Sequence, residues 1–442
     1  MKKFFILIGL IVLFFFGEIA FTFSDKGYPS LANTEEVSFS LMLDNEFSDY
    51  STTSSIDRRV NSFMKKWKIK GASLAITKNE KLVYAKGFGI ANSETGEEVK
   101  PGHLFRIASV SKLITAVAIM KLYEDGALDL DEHVFGEDGI LNDSIYGGYR
   151  DQRYEDITIR HLLNHTAGWS RYSGDPMFEP LYIARKMNVK PPAAFPDILQ
   201  FTLSRRLNYK PGTRYSYSNL GYAILGEIVS RKSGMTYQDY VVINLFKPID
   251  IHDMHIGRSY YHEKYPNEVM YHSSAGAMTT YAMDGSGESV PIYYGGNNME
   301  LLGPAGGWVA SAPELIKFIT AIDGFPEQPD ILKPETIAMM TDPAFTGLGL
   351  YGWRGADNYG TWWRTGYLTG SSALVVRQRD GINWVVMTNT STTKHSDIHR
   401  YVSALMFTAV NRVREWPLID LFTMEVAEPS PISEIPANNP KL

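Results

Sequence analysis

Strands near both ends of the chain, with helices between them, predict an α+β fold: an α/β sandwich built on a mostly antiparallel sheet. Three observations carry that expectation. Short apolar runs bounded by turn residues occur at 71–89 and again at 373–389. The long stretch between them holds apolar residues at helical spacing. No internal repeat suggests a solenoid or propeller instead.

In chain order, Lys2-Lys3 precede an apolar run from Phe4 to Phe16, which breaks at Gly17-Glu18. A basic start and a short apolar stretch mark an export segment, so residues 1–24 are read as a signal peptide or N-terminal membrane anchor. Thr22 and Ser24 offer small cleavage residues, and Phe4 to Phe23 could just span a bilayer uncleaved; both readings stand open. The expected location is extracytoplasmic, periplasmic or secreted. A lipoprotein is excluded, because the chain has no cysteine.

Residues 25–55 are polar and aperiodic and read as a linker, Leu41 to Leu43 being its one apolar cluster. The folded region is expected over 56–414. It opens with a helix at Ile56 to Trp67, then two strands, Gly71 to Thr77 and Leu82 to Gly89, about the turn Lys78-Asn-Glu-Lys81. A helix is predicted over Ser111 to Asp125, stopping at Gly126, and another from an N-cap at Thr158 to Gly168. Gly221 to Arg231 forms a further apolar helix, and Ser311-Ala-Pro-Glu314 is a capping-box pattern before a helix over Leu315 to Ile322. Arg379-Asp-Gly-Ile joins two strands as a hairpin, and the last helix runs from Asp397 to Val413. A Pro- and Glu-rich tail is expected over 415–442.

Bulk properties exclude several functions. A formal net charge of -6 with no basic stripe gives no attraction to nucleic acid. Without cysteine there are no disulfides, thiolate metal sites or cysteine nucleophiles. No cofactor or metal is called for: His161 and His165 have zincin spacing, but Leu162 stands where glutamate is needed. They are read as helix packing and capping. Asp129-Leu-Asp-Glu lacks the other ligands of a calcium loop and reads as a solvated turn. The aromatic stretch from Tyr260 to Tyr294 is read as a wall of a cleft or a surface insertion.

Chemistry is carried by Ser-x-x-Lys, which on a helix places a hydroxyl and an ammonium on one face. Three copies occur. Ser62 to Lys65 sits inside a basic helical segment, and Ser391 to Lys394 follows a strand; only Ser109-Val-Ser-Lys112 stands where a loop enters a long apolar helix. There the helix N-terminus adds N–H groups suited to an oxyanion. The plain alternative for Ser109 is a helix N-cap. Tyr217-Ser-Asn219, in a turn-rich loop before a helix, supplies a phenol that nearby cations could ionise and an amide that could orient lysine and substrate. Tyr265-Pro-Asn267 repeats the spacing in an ordinary turn.

Four collinear blocks carry a resemblance: Phe105-Arg-Ile-Ala-Ser-Val-Ser-Lys112, Ile157 to Gly168, Pro211 to Tyr222, and Gly303-Pro-Ala-Gly-Gly-Trp308. Together they resemble the serine β-lactamase-related family, which holds class C β-lactamases, D-Ala-D-Ala carboxypeptidases, penicillin-binding proteins, D-aminopeptidases and esterases. The resemblance implies a β-lactamase/transpeptidase-like fold with an all-helical half and a site in the cleft. It also implies acyl-enzyme chemistry, with Ser109 attacking, Lys112 and Tyr217 moving its proton, and Asn219 supporting lysine and substrate.

Relatives carry a Lys-Thr-Gly or His-x-Gly strand along that cleft. Here Arg364-Thr365-Gly366 occupies the expected place, while Lys232-Ser-Gly234 ends a helix, with Gly234 as its C-cap. Arginine does not relay protons but can hold a carboxylate bidentately. The resemblance thus implies that Arg364, Thr365 and Gly366 bind substrate; the alternative is that Arg364 points away to stack on Trp362 or Trp363 and only backbone atoms of this strand touch substrate. Backbone N–H groups of Ser109 and Tyr367 are expected to form the oxyanion hole. The expected function is hydrolysis of an amide, ester or β-lactam, first of all a D-amino-acid peptide of cell-wall type. An esterase, or a penicillin-binding sensor acylated without turnover, is the alternative.

Overall fold

A computed structural model describes residues 37–276 and 278–426. The export segment, the linker before residue 37 and the tail after residue 426 lie outside the described residues.

The chain enters its core through an amphipathic helix, α1 (Ser54–Trp67), which buries Ile56, Val60 and Met64 at four-residue spacing and turns off at Lys68, φ 55°. Strands β1 (Gly71–Lys78) and β2 (Lys81–Asn92) follow as an antiparallel pair, with β3 (Glu97–Glu98) beside β2. The middle of the chain contributes α2 (Ser111–Glu124), α3 (Asn219–Ser233) and α4 (Ala312–Thr320) among other helices. The last part returns to strand: β4 (Gly355–Ala356), β5 (Trp362–Leu368), β6 (Ser371–Arg377) and β7 (Ile382–Thr388), then α5 (Ile398–Val410).

These strands form one antiparallel sheet, β4-β5-β6-β7-β1-β2-β3. Its middle is the pairing of the first strand with the last, Ala75 opposite Val385, which explains why strands lie at both ends of the sequence. Side chains alternate between two cores. Leu74, Ile76, Tyr84, Val376 and Trp384 pack with α1 and α5 on one face. Ala75, Ala85, Val375 and Val385 face α2, α4 and the helical half on the other. Both faces are covered, so β6 and β7 read as continuous apolar runs rather than alternating ones.

The predicted fold class is the observed one, with several corrections to its parts. The polar linker is not free from residue 37 onward. Phe39 and Leu43 are buried, the Ser48 hydroxyl donates to Ala85 O at 2.9 Å, and Asn45 accepts from Gly87 N at 2.7 Å. Its polar composition hides a strap whose side chains satisfy the backbone along β2. The tail is likewise ordered at its start: Leu421 is buried, and its N–H donates to Leu82 O at 2.9 Å. The two straps meet where the Phe39 and Phe422 rings contact edge to face at 5.6 Å, with the Lys317 ammonium 4.7 Å from the Phe39 centroid.

Ser311 caps α4 as predicted, but Glu314 does not reach back to complete a box. Its carboxylate is buried against Ser38 Oγ at 2.5 Å and the N–H groups of His252 and Asp253. The helix capped by Thr158 is short, Ile159–Leu163, because the chain turns sharply at His165, φ 60°. The aromatic stretch is tied into the fold at its base. The Arg106 guanidinium lies 4.5 Å from the Tyr271 centroid, and Tyr271 donates to the buried Glu268 carboxylate at 2.6 Å. Further out, Tyr281 is exposed.

Candidate active site

The loop after Phe105 enters α2 through a short 3-10 turn, Ala108–Val110. Ala108 adopts φ 48°, a left-handed conformation that costs a non-glycine residue about 1 kcal/mol or more. The bend presents Ser109 to the cleft, and Ser109 is the only residue of 101–120 that is not buried. Helix α2 itself is buried all round, which fixes the position of its first turn.

Two side chains reach Ser109 Oγ: Lys112 from the next helical turn and Tyr217 from 108 residues away in sequence. The Tyr217 hydroxyl is 2.7 Å away and Lys112 Nζ 3.4 Å away. Lys112 is fully buried, and its ammonium also donates to Asn219 Oδ1 at 2.5 Å and to the Ala305 carbonyl. That carbonyl comes from the glycine-rich turn Gly303–Gly307, and α3 approaches the turn so closely that a Cβ on Gly226 would lie 2.1 Å from Pro304. Asn219 begins α3, capped by the Ser218 side chain, so the helix N-terminus aims the amide at Lys112.

Electrostatics set the protonation of this group. Burial opposes ionisation of Tyr217, but Lys112 and Arg364 outweigh it and bring the phenol down to about 8. Burial lowers Lys112 from its ordinary value, Arg364 pushes the same way, and Tyr217 opposes. A neutral phenol donates to Ser109 Oγ. Once ionised, the same oxygen accepts the serine proton.

Arg364 departs from both sequence expectations. It is 1% exposed and turned inward: Nε donates to Ser109 O at 2.7 Å and Nη2 to the Tyr217 hydroxyl at 3.2 Å. The edge of the fork that would grip a carboxylate already holds the protein, so a clamp through that edge is not what the structure builds. Nor does Arg364 stack on a tryptophan; Arg377 takes that place, 4.3 Å from the Trp362 centroid. Thr365 also differs from expectation. By strand alternation its side chain falls on the face opposite Arg364 and Gly366, the side of α5, leaving its backbone at the strand edge.

Gly366 passes close beneath the serine turn. A Cβ there would lie 2.1 Å from Ile107 O and 3.1 Å from Ser109 N, so only glycine lets the strand approach. Arg354 N donates to Trp363 O at 2.9 Å, which sets the alternation: the backbone groups of 363, 365 and 367 point to the outer edge of β5. The Tyr367 N–H therefore faces the cleft edge beside Ser109.

The competing motifs resolve into structural roles. Ser62 Oγ donates to Arg58 O within α1, and Ser391 Oγ to His272 O. Lys232 pairs with Glu132 at 2.5 Å, and Gly234 ends α3 at φ 72°. Tyr265-Pro-Asn267 is a turn closed by Glu268 N on Tyr265 O. His161 Nδ1 accepts from Thr158 N, and His165 Nδ1 from Ser218 N, both at 3.2 Å.

Sequence reasoning missed two neighbours of the site. Asp175 accepts from Asn219 Nδ2 at 2.6 Å and lines a pocket of about 210 Å3 with Tyr217, Trp169 and Phe201. Burial raises its carboxyl from the ordinary value. The buried His165 ring lies 4.6 Å from Tyr217 and 5.0 Å from Tyr222, and burial holds its pKa well below 6.5. His165 reads from the sequence only as helix packing and capping, which gives no hint that its ring packs on Tyr217; Asp175 carries no spacing signal at all.

A serine, lysine and tyrosine gathered where a helical half meets an antiparallel sheet define the class, the β-lactamase-fold serine hydrolases. The chain belongs to the β-lactamase family, whose model matches residues 56–405. Penicillin-binding protein 4* of Bacillus subtilis (strain 168) is 31% identical over 177 residues, 40% of this chain and 35% of that protein. The chain spans about a third of the length of the curated relatives it matches. Among solved structures, the octameric penicillin-binding protein homologue from Pyrococcus abyssi is 25% identical, with TM-score 0.60 over 83% of this chain and 79% of that one. The D-amino acid amidase from Ochrobactrum anthropi SV3 shares the fold, with TM-score 0.64 at 20% identity over 82% of this chain and 99% of that one.

Proposed function

We propose that this chain is a hydrolase that works through an acyl-enzyme on Ser109. The observation that carries the reading is the Tyr217 hydroxyl, 2.7 Å from Ser109 Oγ and brought to about 8 by two flanking cations. Tyr217 as phenolate takes the serine proton while Ser109 Oγ bonds to the substrate carbonyl carbon. The N–H groups of Ser109 and Tyr367 hold the oxyanion. Collapse breaks the bond to the leaving group, which takes the proton back from Tyr217. Water, deprotonated at the same site, then releases the acid and restores Ser109. Lys112 and Arg364 keep Tyr217 ionisable throughout, and Asn219 positions Lys112.

The substrate class we propose is an amide or peptide of a D-amino acid, with an ester as the second choice. Its support is the set of similar proteins: a penicillin-binding protein by sequence, and a D-amino acid amidase by fold. We place the protein outside the cytoplasm, on the Lys2-Lys3 and Phe4 to Phe16 pattern. Fusing residues 1–36 to a reporter active only after export tests that placement; an inactive reporter overturns it.

Labelling with a fluorophosphonate and a fluorescent penicillin, followed by mass mapping of the modified peptide, tests the chemistry. The label is expected on Ser109 and absent from Ser109→Ala. A label on Ser62 or Ser391 would sink the assignment. Release of the acyl group within minutes supports a hydrolase, and an adduct stable for hours supports a sensor.

A further inference from the structure

The peptide that supplies the second oxyanion donor is held from behind. Tyr367 N belongs to the same amide group as the Gly366 carbonyl, so whatever binds that oxygen acts on the N–H. His399, at the start of α5, reaches it from the opposite face of the sheet. Its Nε2 lies 3.0 Å from Gly366 O and 3.1 Å from Ser372 Oγ. The ring is 7% exposed and enclosed between α5 and the sheet. Burial pushes its pKa below 6.5, while backbone carbonyls of Gly366, Ser396 and Ala373 act the other way.

A carbonyl oxygen can only accept, so the ring donates to Gly366 through Nε2–H. Two consequences follow for the amide. A hydrogen bond at the oxygen draws electron density from nitrogen and makes the N–H a stronger donor, the cooperative effect seen along hydrogen-bonded chains. Together with the β5–β6 ladder, where Gly366 stands opposite Ala373, it fixes the plane of a peptide that starts at glycine, has no Cβ on the serine side, and lies at the sheet edge beyond β4. An oxyanion donor is useful only if aimed beforehand, and a rotation of this plane would turn Tyr367 N–H away from Ser109.

We infer that His399 is a positioning residue of the oxyanion hole, holding and polarising the Gly366–Tyr367 peptide without touching substrate. The inference rests on the proposed acyl-enzyme function and adds a residue from a helix that otherwise serves the far core.

The test compares side chains that do or do not keep a donor at the Nε2 position. His399→Gln places its amide nitrogen close to that position, His399→Asn falls short of it, and His399→Phe fills the space with no donor. Two readouts are measured on the folded fraction: the second-order rate of fluorophosphonate labelling, and the inhibition constant of phenylboronic acid, whose tetrahedral serine adduct places an oxygen in the hole. His399→Phe and His399→Asn are expected to slow labelling about 10-fold and weaken the boronate by a similar factor, less than deleting a donor outright. His399→Gln is expected to recover most of both. Ser372→Ala, which disturbs the same buried spot without freeing the Gly366 oxygen, is expected to label at the wild-type rate.

Equal rates for Asn, Gln and wild type would overturn the inference, as would a Gln variant that falls as far as Asn. If Ser109→Ala loses its label while His399→Phe keeps the wild-type rate, the inference fails alone. If Ser109→Ala still labels, the functional reading fails and takes the inference with it.

Discussion

The cleft and the β1–β2 turn both bury ionisable side chains, and in both places burial opposes charge. The two regions shift their groups in opposite directions, one toward the charged form and one toward the neutral form. In the cleft, Lys112 and Arg364 overcome the burial of Tyr217 and lower its phenol to about 8. At the turn, burial raises Glu80 to about 8, with Asp323 and Glu327 adding to it and the Gln328 N–H opposing. Asp323 is likewise raised to about 7 by burial, against hydrogen bonds from Phe325 N–H and Asn383. Arg377 is near, but its guanidinium is stacked between Phe325 and Trp362, and its Nε donates to Asp323 O rather than to the carboxylate. The difference teaches that placement of cations, not burial, decides which group becomes a usable base. Tyr222 makes the same point inside the cleft. It packs on the same His165 ring, yet burial raises its phenol, with Arg364 and the Gly352 N–H opposing too weakly to reverse it, and its hydroxyl donates to Leu163 O rather than to Ser109.

The largest expected effect comes from dismantling the cationic side. Lys112→Ala and Tyr217→Phe should each slow acylation by roughly 100-fold or more, as for a lost proton-transfer group. Because the lysine sets the tyrosine, the double variant should be little slower than the poorer single one. Labelling rates check this. Fully additive losses would mean that the two serve separate steps.

Arg364 sharpens the comparison next. If its role is to hold Tyr217 ionisable, Arg364→Gln removes a positive charge and raises the phenol above about 8. The ionised fraction at neutral pH then falls, and the acid limb of the kcat/KM profile moves to higher pH. A shift of about one unit corresponds to about 10-fold at pH 7, recovered as pH rises. The loss should be equal for a carboxylate-bearing substrate and its amide. A rise in KM confined to the carboxylate would restore the clamp that the inward geometry argues against.

At the acidic end the sign reverses. Glu80 rises from its ordinary 4.5 to about 8 in the folded chain, so its contribution to stability is full below about pH 4.5 and lost as pH rises through about 8. Asp323, at about 7, and Asp330, at about 6, act the same way over an overlapping window. Glu80→Gln should flatten that decline, so that relative to wild type the variant gains up to about 3 kcal/mol between pH 5 and pH 8. Denaturant titrations at the two pH values measure it. An unchanged pH dependence would mean that the carboxyl stays ionised and finds a partner.

What the sequence disclosed about these regions follows from range. Ser109 and Lys112 share a helix turn, and Tyr217 and Asn219 share a cap, so local spacing exposed each pair. The β1–β2 hairpin was legible too, since its turn residues stand between two apolar runs. Long-range placement was not. Nothing local says that Arg364 turns inward onto Ser109 O, because that depends on a strand 255 residues away in sequence. The acidic cluster joins Glu80 to Asp323 and Asn383 through the pairing of β1 with β7, and Glu80 alone reads as an ordinary turn residue. The strap at 37–53 was missed for a different reason: its polar side chains bond backbone, which composition counts as solvent-loving.

Lys232 supplies the smallest effect and the cleanest control on the cationic argument. A Lys-Ser-Gly sequence invites the reading of a third motif, and its lysine is as positive as Arg364. Its surroundings differ in every respect that mattered in the cleft. It sits near the end of α3 as a last-turn cation, partly exposed, and pairs with Glu132 across the surface. Water screens such a pair, and its contribution is expected to be about 0.5 kcal/mol, with a few tenths more from the helix dipole. Lys232→Ala should therefore change melting only slightly and leave the labelling rate and its pH profile where they were. A displaced acid limb in this variant would show that a distant charge tunes Tyr217, and the claim that contact geometry selects the base would fail.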